Sequence, residues 1–126
     1  MTVVALVPAK DRSDSVGATV TALRRIPAVD EILVIDDGSV DDTAAVAAGA
    51  GAGVLRMPAN VGKGGAVRAG VEATPHADVY LLVDADVGAT AALADALLPP
   101  VLDGRADLSI AVLPSAGAKA GFGSVR

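Results

Sequence analysis

Two aspartates one residue apart, Asp84 and Asp86, close the most apolar stretch of the chain, residues 79–83. On an extended segment, alternate side chains share a face, with Cα atoms roughly 7 Å apart. Both carboxylates then address one ligand, while Ala85 points away and leaves room. Unpaired carboxylates at a buried strand end repel each other and desolvate badly. A hard divalent cation, Mg2+ or Mn2+, removes both problems. It takes oxygen ligands, needs few protein carboxylates, and fills its remaining positions with water or phosphate. Asp84 and Asp86 are therefore the candidate metal ligands. The plainer alternative is a pair of acids capping the turn that follows, since Asp-x-Asp is common on its own.

Three further clusters sit at the ends of apolar runs or the start of a helix. Val7-Pro8-Ala9 ends the first run. Pro8 donates no N–H and suits a strand end where the backbone turns toward a ligand, or simply a strand stop. Asp36-Asp37-Gly38-Ser39 ends the second run. Two acids there predict one turn residue and one ligand contact, with Gly38 allowing a tight turn. Asn60-Val61-Gly62-Lys63-Gly64-Gly65-Ala66 leads into a helix. Small residues at a helix N-terminus expose backbone N–H groups, and Lys63 adds a full charge, which suits a diphosphate. It is not a Walker A loop, because Met57 replaces its first Gly and Gly64 its Ser or Thr. The plainer alternative is a flexible loop with a solvated lysine.

The elements that must position these clusters alternate regularly. Residues 3–7, 32–35, 54–55, 79–83 and 108–113 read as strands. Helices are predicted over about 16–25 behind Ser13, Asp14 and Ser15, and over an Ala-rich stretch behind Asp41, Asp42 and Thr43. Two more are predicted over about 64–73 and, capped by Thr90, over 91–98. The tail from residue 115 has no clear period. Alternating strands and helices favour an α/β fold with a mostly parallel sheet flanked by helices. Ligands of such sheets sit beyond the carboxyl ends of the strands, where the clusters at 8–12, 36–39 and 84–86 fall.

Composition agrees. The chain has 126 residues, enough for one domain, and 52% are hydrophobic with only 2% aromatic. Such a core is built from small side chains in close layers. A net charge of −5 argues against nucleic-acid binding, as does the lack of aromatic platforms for bases. There is no Cys, which rules out disulfide and thiolate chemistry, and the lone His76 reads as a loop residue. No apolar run approaches the roughly 18 residues of a membrane span. No signal peptide is evident, so a cytoplasmic location is expected.

Together these stretches resemble glycosyltransferases of family 2 with the GT-A fold, particularly the dolichyl-phosphate mannose synthase and glucosyl-3-phosphoglycerate synthase types. The matching segments are VPA, VIDDGSVDDT, NVGKGGAVRAG and VDAD, spread over roughly the first ninety residues. The resemblance implies a Rossmann-like nucleotide-diphospho-sugar transferase fold over residues 1–126. It implies metal-dependent transfer of a sugar from a nucleotide-diphosphate sugar to an acceptor such as a lipid phosphate, phosphoglycerate or glycan. By the same resemblance Pro8 and Ala9 line the nucleotide pocket, and Asp37 accepts from the base with Gly38 and Ser39 beside it. Lys63 reaches the diphosphate. Asp84, Ala85 and Asp86 hold the ribose and the metal–diphosphate unit, with Asp86 favoured as the direct ligand.

The pattern departs from the family after Pro8-Ala9, where an Asn-Glu pair is usual and Asp11-Arg12 stand here. Asp11 keeps an acceptor, whereas Arg12 exchanges a carboxylate for a guanidinium suited to phosphate. The domain is also expected to be incomplete at its C-terminus. Asp95, Asp103 and Asp107 read as helix surface and a turn, so a catalytic base is expected beyond Arg126. Membrane association through missing sequence or a partner fits the same expectation. An NAD-binding domain or a nucleotidyltransferase needs a Gly-rich first loop, which residues 8–15 lack. A receiver domain needs acids on the first strand, which carries none. Two readings stay open: a transferase whose donor half lies here, and a non-catalytic nucleotide-sugar-binding module or inactive fragment.

Overall fold

The computed structural model describes residues 1–97, 108–112 and 121–125, with side chains through residue 92. The strands are β1 (Val3–Ala9), β2 (Glu31–Asp36), β3 (Gly53–Arg56) and β4 (Val79–Leu82), with helices α1 (Val16–Arg24), α2 (Thr43–Gly49) and α3 (Gly62–Ala73) between them. A 3-10 helix, Gly88–Leu97, follows β4, and the strands β5 (Leu108–Val112) and β6 (Gly121–Val125) come last.

The first four strands form one parallel sheet in the order β3-β2-β1-β4. The chain runs outward from β1 to β3, then crosses back to place β4 on the other side of β1. Strand order therefore reverses beside β1, where the loops leaving neighbouring strands diverge and open a crevice. The register sets Ala9 opposite Asp36 and Asp36 opposite Arg56, so the carboxyl ends of β1, β2 and β3 are level.

Both faces of β1 are buried, which is why it reads as an unbroken apolar run rather than an alternating one. Val3, Ala5, Val7 and Ala9 pack in one cluster with Val16, Val20 and Leu23 of α1 and Ala47 of α2. Val4 and Leu6 face the other way, with Ile35 and Ala66. Each Leu or Ile buried in this fashion stabilises the fold by about 1.5–3 kcal/mol. Gly70 lets α3 descend onto the sheet, since a Cβ there would lie 2.9 Å from Ile35 Cδ1 and 3.1 Å from Leu6 Cδ2.

The sequence expectations differ from the structure in four places. α3 begins at Gly62, ahead of the expected residue 64, because the N–H groups of Val61 and Gly62 find a carboxylate partner in Asp37. Thr90 does not cap a helix. It lies inside the 3-10 helix, and its hydroxyl donates to Val87 O at 2.6 Å. β4 stops at Leu82, so Val83 lies outside it. The strand expected near residue 108 forms, but it pairs antiparallel with β6 rather than joining the parallel sheet. β6 falls in the tail that had no period to read, in the Gly- and Ser-interrupted sequence GFGSV. Among the described residues no helix is long and apolar enough to cross a membrane.

Candidate functional site

A cleft of about 410 Å³ opens at the carboxyl edge of the sheet, at the reversal of strand order. The end of β1 contributes Pro8, Ala9, Lys10 and Arg12, and the end of β2 contributes Asp37. Asn60, Gly62, Lys63 and Ala66 come from the start of α3, and Asp84, Ala85 and Asp86 follow β4. Eight of the residues singled out from sequence thus meet in one cavity: Pro8, Ala9, Arg12, Asp37, Lys63, Asp84, Ala85 and Asp86.

Asp11, Gly38 and Ser39 do not line it. They hold the cleft's loops together instead. Asp11 has φ 52°, its N–H donates to Ser39 Oγ at 2.9 Å, and its carboxylate accepts from Val40 N–H at 2.8 Å. The carboxylate expected to accept from a ligand is therefore engaged with backbone. Arg12 N–H donates to Thr43 Oγ1 at 2.9 Å and Ser13 N–H to Asp41 Oδ2 at 3.2 Å. These bonds fasten the loop after β1 to the loop after β2. The hydrogen bond from Thr43 Oγ1, with those from Ser13, holds the Asp41 carboxyl at about 2, below its ordinary 3.8. Gly38, with φ 80°, lets the second loop touch the third, since a Cβ there would lie 3.0 Å from Asn60 N.

The adjacent acids divide their work. Asp36 is the turn residue: it is 1% exposed, its Oδ1 accepts from Ser39 N–H at 2.9 Å, and its Oδ2 lies 3.5 Å from Arg56 Nε. Asp37 reaches the cleft and accepts from Val61 N–H at 2.7 Å and Gly62 N–H at 3.0 Å. A carboxylate of the protein itself thus occupies the positive end of α3. Two of the N–H groups at the start of that segment are therefore already engaged by the protein. The charged side chain of that segment is the exposed Lys63, which lines the cleft and pairs with Asp84 Oδ1.

The acidic segment is not extended. β4 has already ended, and Val87 N–H donates back to Asp84 O at 3.4 Å, making a turn. Ala85 is buried in the core cluster with Val16, Val20 and Leu23 of α1. Asp84 and Asp86 still both line the cleft, through the turn rather than through strand alternation. The Ala85 carbonyl accepts from Thr19 Oγ1 at 2.7 Å, and Gly88 N–H donates to the same hydroxyl at 2.9 Å. Thr19 was missed from sequence. Its signal was a polar residue on the buried stripe of Val16, Val20 and Leu23. Lys10 was missed as a loop position, and Asn60, the first residue of the segment that opens α3, was given no role of its own.

Among the described residues no group of three or more His, Cys, Asp or Glu is placed to hold a metal. A divalent ion in this cleft would take carboxylate oxygen from the Asp84–Asp86 turn and the rest from water and phosphate. That donor set fits Mg2+ or Mn2+, which bind beside substrate phosphates with few protein ligands. Asp95 falls in the 3-10 helix, while Asp103 and Asp107 lie outside the described residues.

The sequence profile of Glycosyl transferase family 2 matches residues 4–124, across every element that builds the cleft. The chain belongs to glycosyl transferase family 2. It is 33% identical over 95 residues to the glucosyl-3-phosphoglycerate synthase of Mycolicibacterium paratuberculosis, covering 68% of this chain and 29% of that enzyme. A crystal structure of glucosyl-3-phosphoglycerate synthase from Mycobacterium tuberculosis, in complex with Mn2+, UDP-glucose and phosphoglyceric acid, superposes with a TM-score of 0.73. The identity is 28%, and the match covers 82% of this chain and 40% of that one. The same enzyme with Mg2+ and UDP gives a TM-score of 0.72 at 28% identity, covering 80% and 39%. A further mycobacterial protein gives 0.73 at 31% identity, covering 82% and 37%. The sheet and its helices are thus the GT-A arrangement of family 2, and the chain spans less than half the length of these relatives.

Proposed function

We propose that this family 2 chain forms the donor side of a metal-dependent glycosyltransferase, binding a nucleotide-diphosphate sugar in the cleft beside β1. One observation carries the reading: an acidic turn and three cationic residues, Lys10, Arg12 and Lys63, line a single cavity at the strand-order reversal. A diphosphate–metal unit is the ligand that satisfies both signs of charge. The ligands of the mycobacterial enzymes favour UDP-glucose as donor and a phosphoglycerate as acceptor.

In this reading Pro8, Ala9 and Asp37 form the nucleoside end. Asp37 retains acceptor capacity after its two backbone bonds, since each carboxylate oxygen has a second lone pair. Asp11, Gly38 and Ser39 hold the loops around that end. Lys63 and Arg12 contact the diphosphate, and Asp84 and Asp86 hold Mg2+ or Mn2+, with Asp86 the direct ligand. An ion held there would offset the charge of the nucleoside diphosphate. The acceptor must be held in line with the anomeric carbon, and orientation of that kind can account for about 7–11 kcal/mol of a barrier. A cytoplasmic location fits the donor class.

Calorimetry with UDP-glucose, with and without Mn2+, tests the proposal. Binding is expected to require the metal and to be lost in Asp86→Ala. Equal affinity in the presence of a chelator would refute it.

A further inference from the structure

We infer that Thr19 is a positioning residue for the acidic turn: its hydroxyl fixes the backbone on both sides of Asp86. The inference rests on the metal role proposed for Asp84 and Asp86. Thr19 lies on α1, is 0% exposed, and sits among Val16, Val20 and Leu23. A hydroxyl buried in such a stripe is unfavourable unless it is hydrogen-bonded. Here it is used as both donor and acceptor, at 2.7 Å to Ala85 O and 2.9 Å from Gly88 N–H. Its proton has a second acceptor in reach, Ser15 O at 3.1 Å, and the shorter contact goes to the turn. The bond by which the turn closes on itself, Val87 N–H to Asp84 O, is long at 3.4 Å. Thr19 thus supplies the shorter restraints, one immediately before Asp86 and one two residues after it.

The connection also reaches the cationic wall. α1 begins at Val16, directly after the loop that carries Lys10 and Arg12 into the cleft. One hydroxyl therefore ties the acidic turn to the helix that directly follows the loop bearing two of the cleft's cations. A metal held by few protein oxygens depends on how those oxygens are oriented. Loss of a group that orients metal ligands typically lowers affinity about 10- to 100-fold.

The test compares Thr19→Val, which keeps the shape and loses the hydroxyl, with Thr19→Ser, which keeps the hydroxyl and loses a buried methyl. Mn2+ affinity is measured in the presence of UDP, together with the unfolding midpoint of each variant. Thr19→Val is expected to bind Mn2+ about 10- to 100-fold more weakly, and Thr19→Ser to recover most of that loss despite its missing methyl. A Thr19→Val protein with wild-type Mn2+ affinity overturns the inference, as do losses that merely track stability in both variants. Hydrogen exchange on the wild-type chain gives a reading that needs no variant: the Gly88 amide must be protected, and free exchange overturns the inference. Wild-type UDP binding that ignores both Mn2+ and Asp86→Ala would instead remove the metal reading itself. Normal metal dependence with an unaffected Thr19→Val removes the Thr19 inference alone.

Discussion

Lys63 offers a substitution whose effects on two ligands have opposite signs. Its ammonium pairs with Asp84 Oδ1, and the side chains are 59% and 29% exposed. Ion pairs this open to water are worth about 0–1 kcal/mol. Lys63→Met frees Asp84 from that pair and removes a cation from beside the metal site. Mn2+ alone should therefore bind slightly tighter, by at most about fivefold on that scale. For a nucleoside diphosphate the change runs the other way. A charge-assisted hydrogen bond to phosphate contributes about 1–3 kcal/mol, so UDP with Mn2+ should bind roughly 5- to 150-fold more weakly. Uridine, which has no phosphate, should bind almost as before. Calorimetry with Mn2+, uridine and UDP–Mn2+ separates the three cases. An equal loss for uridine and UDP would show that Lys63 acts through folding or another part of the cleft. Weaker binding of Mn2+ alone would refute the account of Lys63 as a competitor for Asp84.

Asp37→Asn should cost about 1–3 kcal/mol of stability in urea denaturation, because an amide accepts through one oxygen and turns its NH2 toward the other N–H of the Val61–Gly62 pair; an unchanged midpoint would sever Asp37 from α3. Gly38→Ala should lose about 1–3 kcal/mol, since alanine must adopt positive φ with its Cβ 3.0 Å from Asn60 N. Wild-type stability of that variant would mean that the two loops do not touch. Asp41 should titrate near 2 by carboxyl NMR, against an ordinary 3.8. Because its folded pKa is depressed, its contribution is present above 3.8 and fades as pH falls through about 2; titration at the ordinary value would mean that its bonds to Thr43 and Ser13 are absent in solution.

What was legible in the sequence is what burial writes locally. β1 shows as an apolar run because both its faces are covered, and the polar clusters stand out because they begin where cover ends. The division of Asp36 and Asp37 into a turn residue and a cleft residue was also expected. Which acid took which part was legible only through the family resemblance, because the deciding partners, Val61 and Gly62, lie 24 and 25 residues away. The backbone bond that Asp11 makes was not legible for the same reason, its partner Val40 being 29 residues on. The acidic pair reached the cleft by a route that strand periodicity did not predict, since the strand ended before Asp84 and a turn took over. Period-two reasoning holds only while the ladder continues, and no residue marks in advance the point where the ladder stops.

The cleft's charges gain meaning from which of them the protein has already used. Three acids and three cations line it, a balance that alone favours no ligand. Asp37, however, is 5% exposed and holds two backbone N–H groups at the start of α3, so it is tied to the fold as well as to the cleft. Asp84 is shared with Lys63. Arg12, another lining residue, is held by its backbone N–H on Thr43 Oγ1 at 2.9 Å, while its guanidinium, among the described residues, donates only to Asp11 O at 3.4 Å. The chain thus commits acids to structure more heavily than cations, and the surplus it presents to a ligand is positive beside an acidic turn. A bare nucleoside meets only part of that arrangement. A bare metal ion must compete with Lys63, and a bare diphosphate must approach Asp84 and Asp86. Metal and diphosphate together meet both parts, so each should raise the affinity of the cleft for the other, and by linkage the two enhancements must be equal.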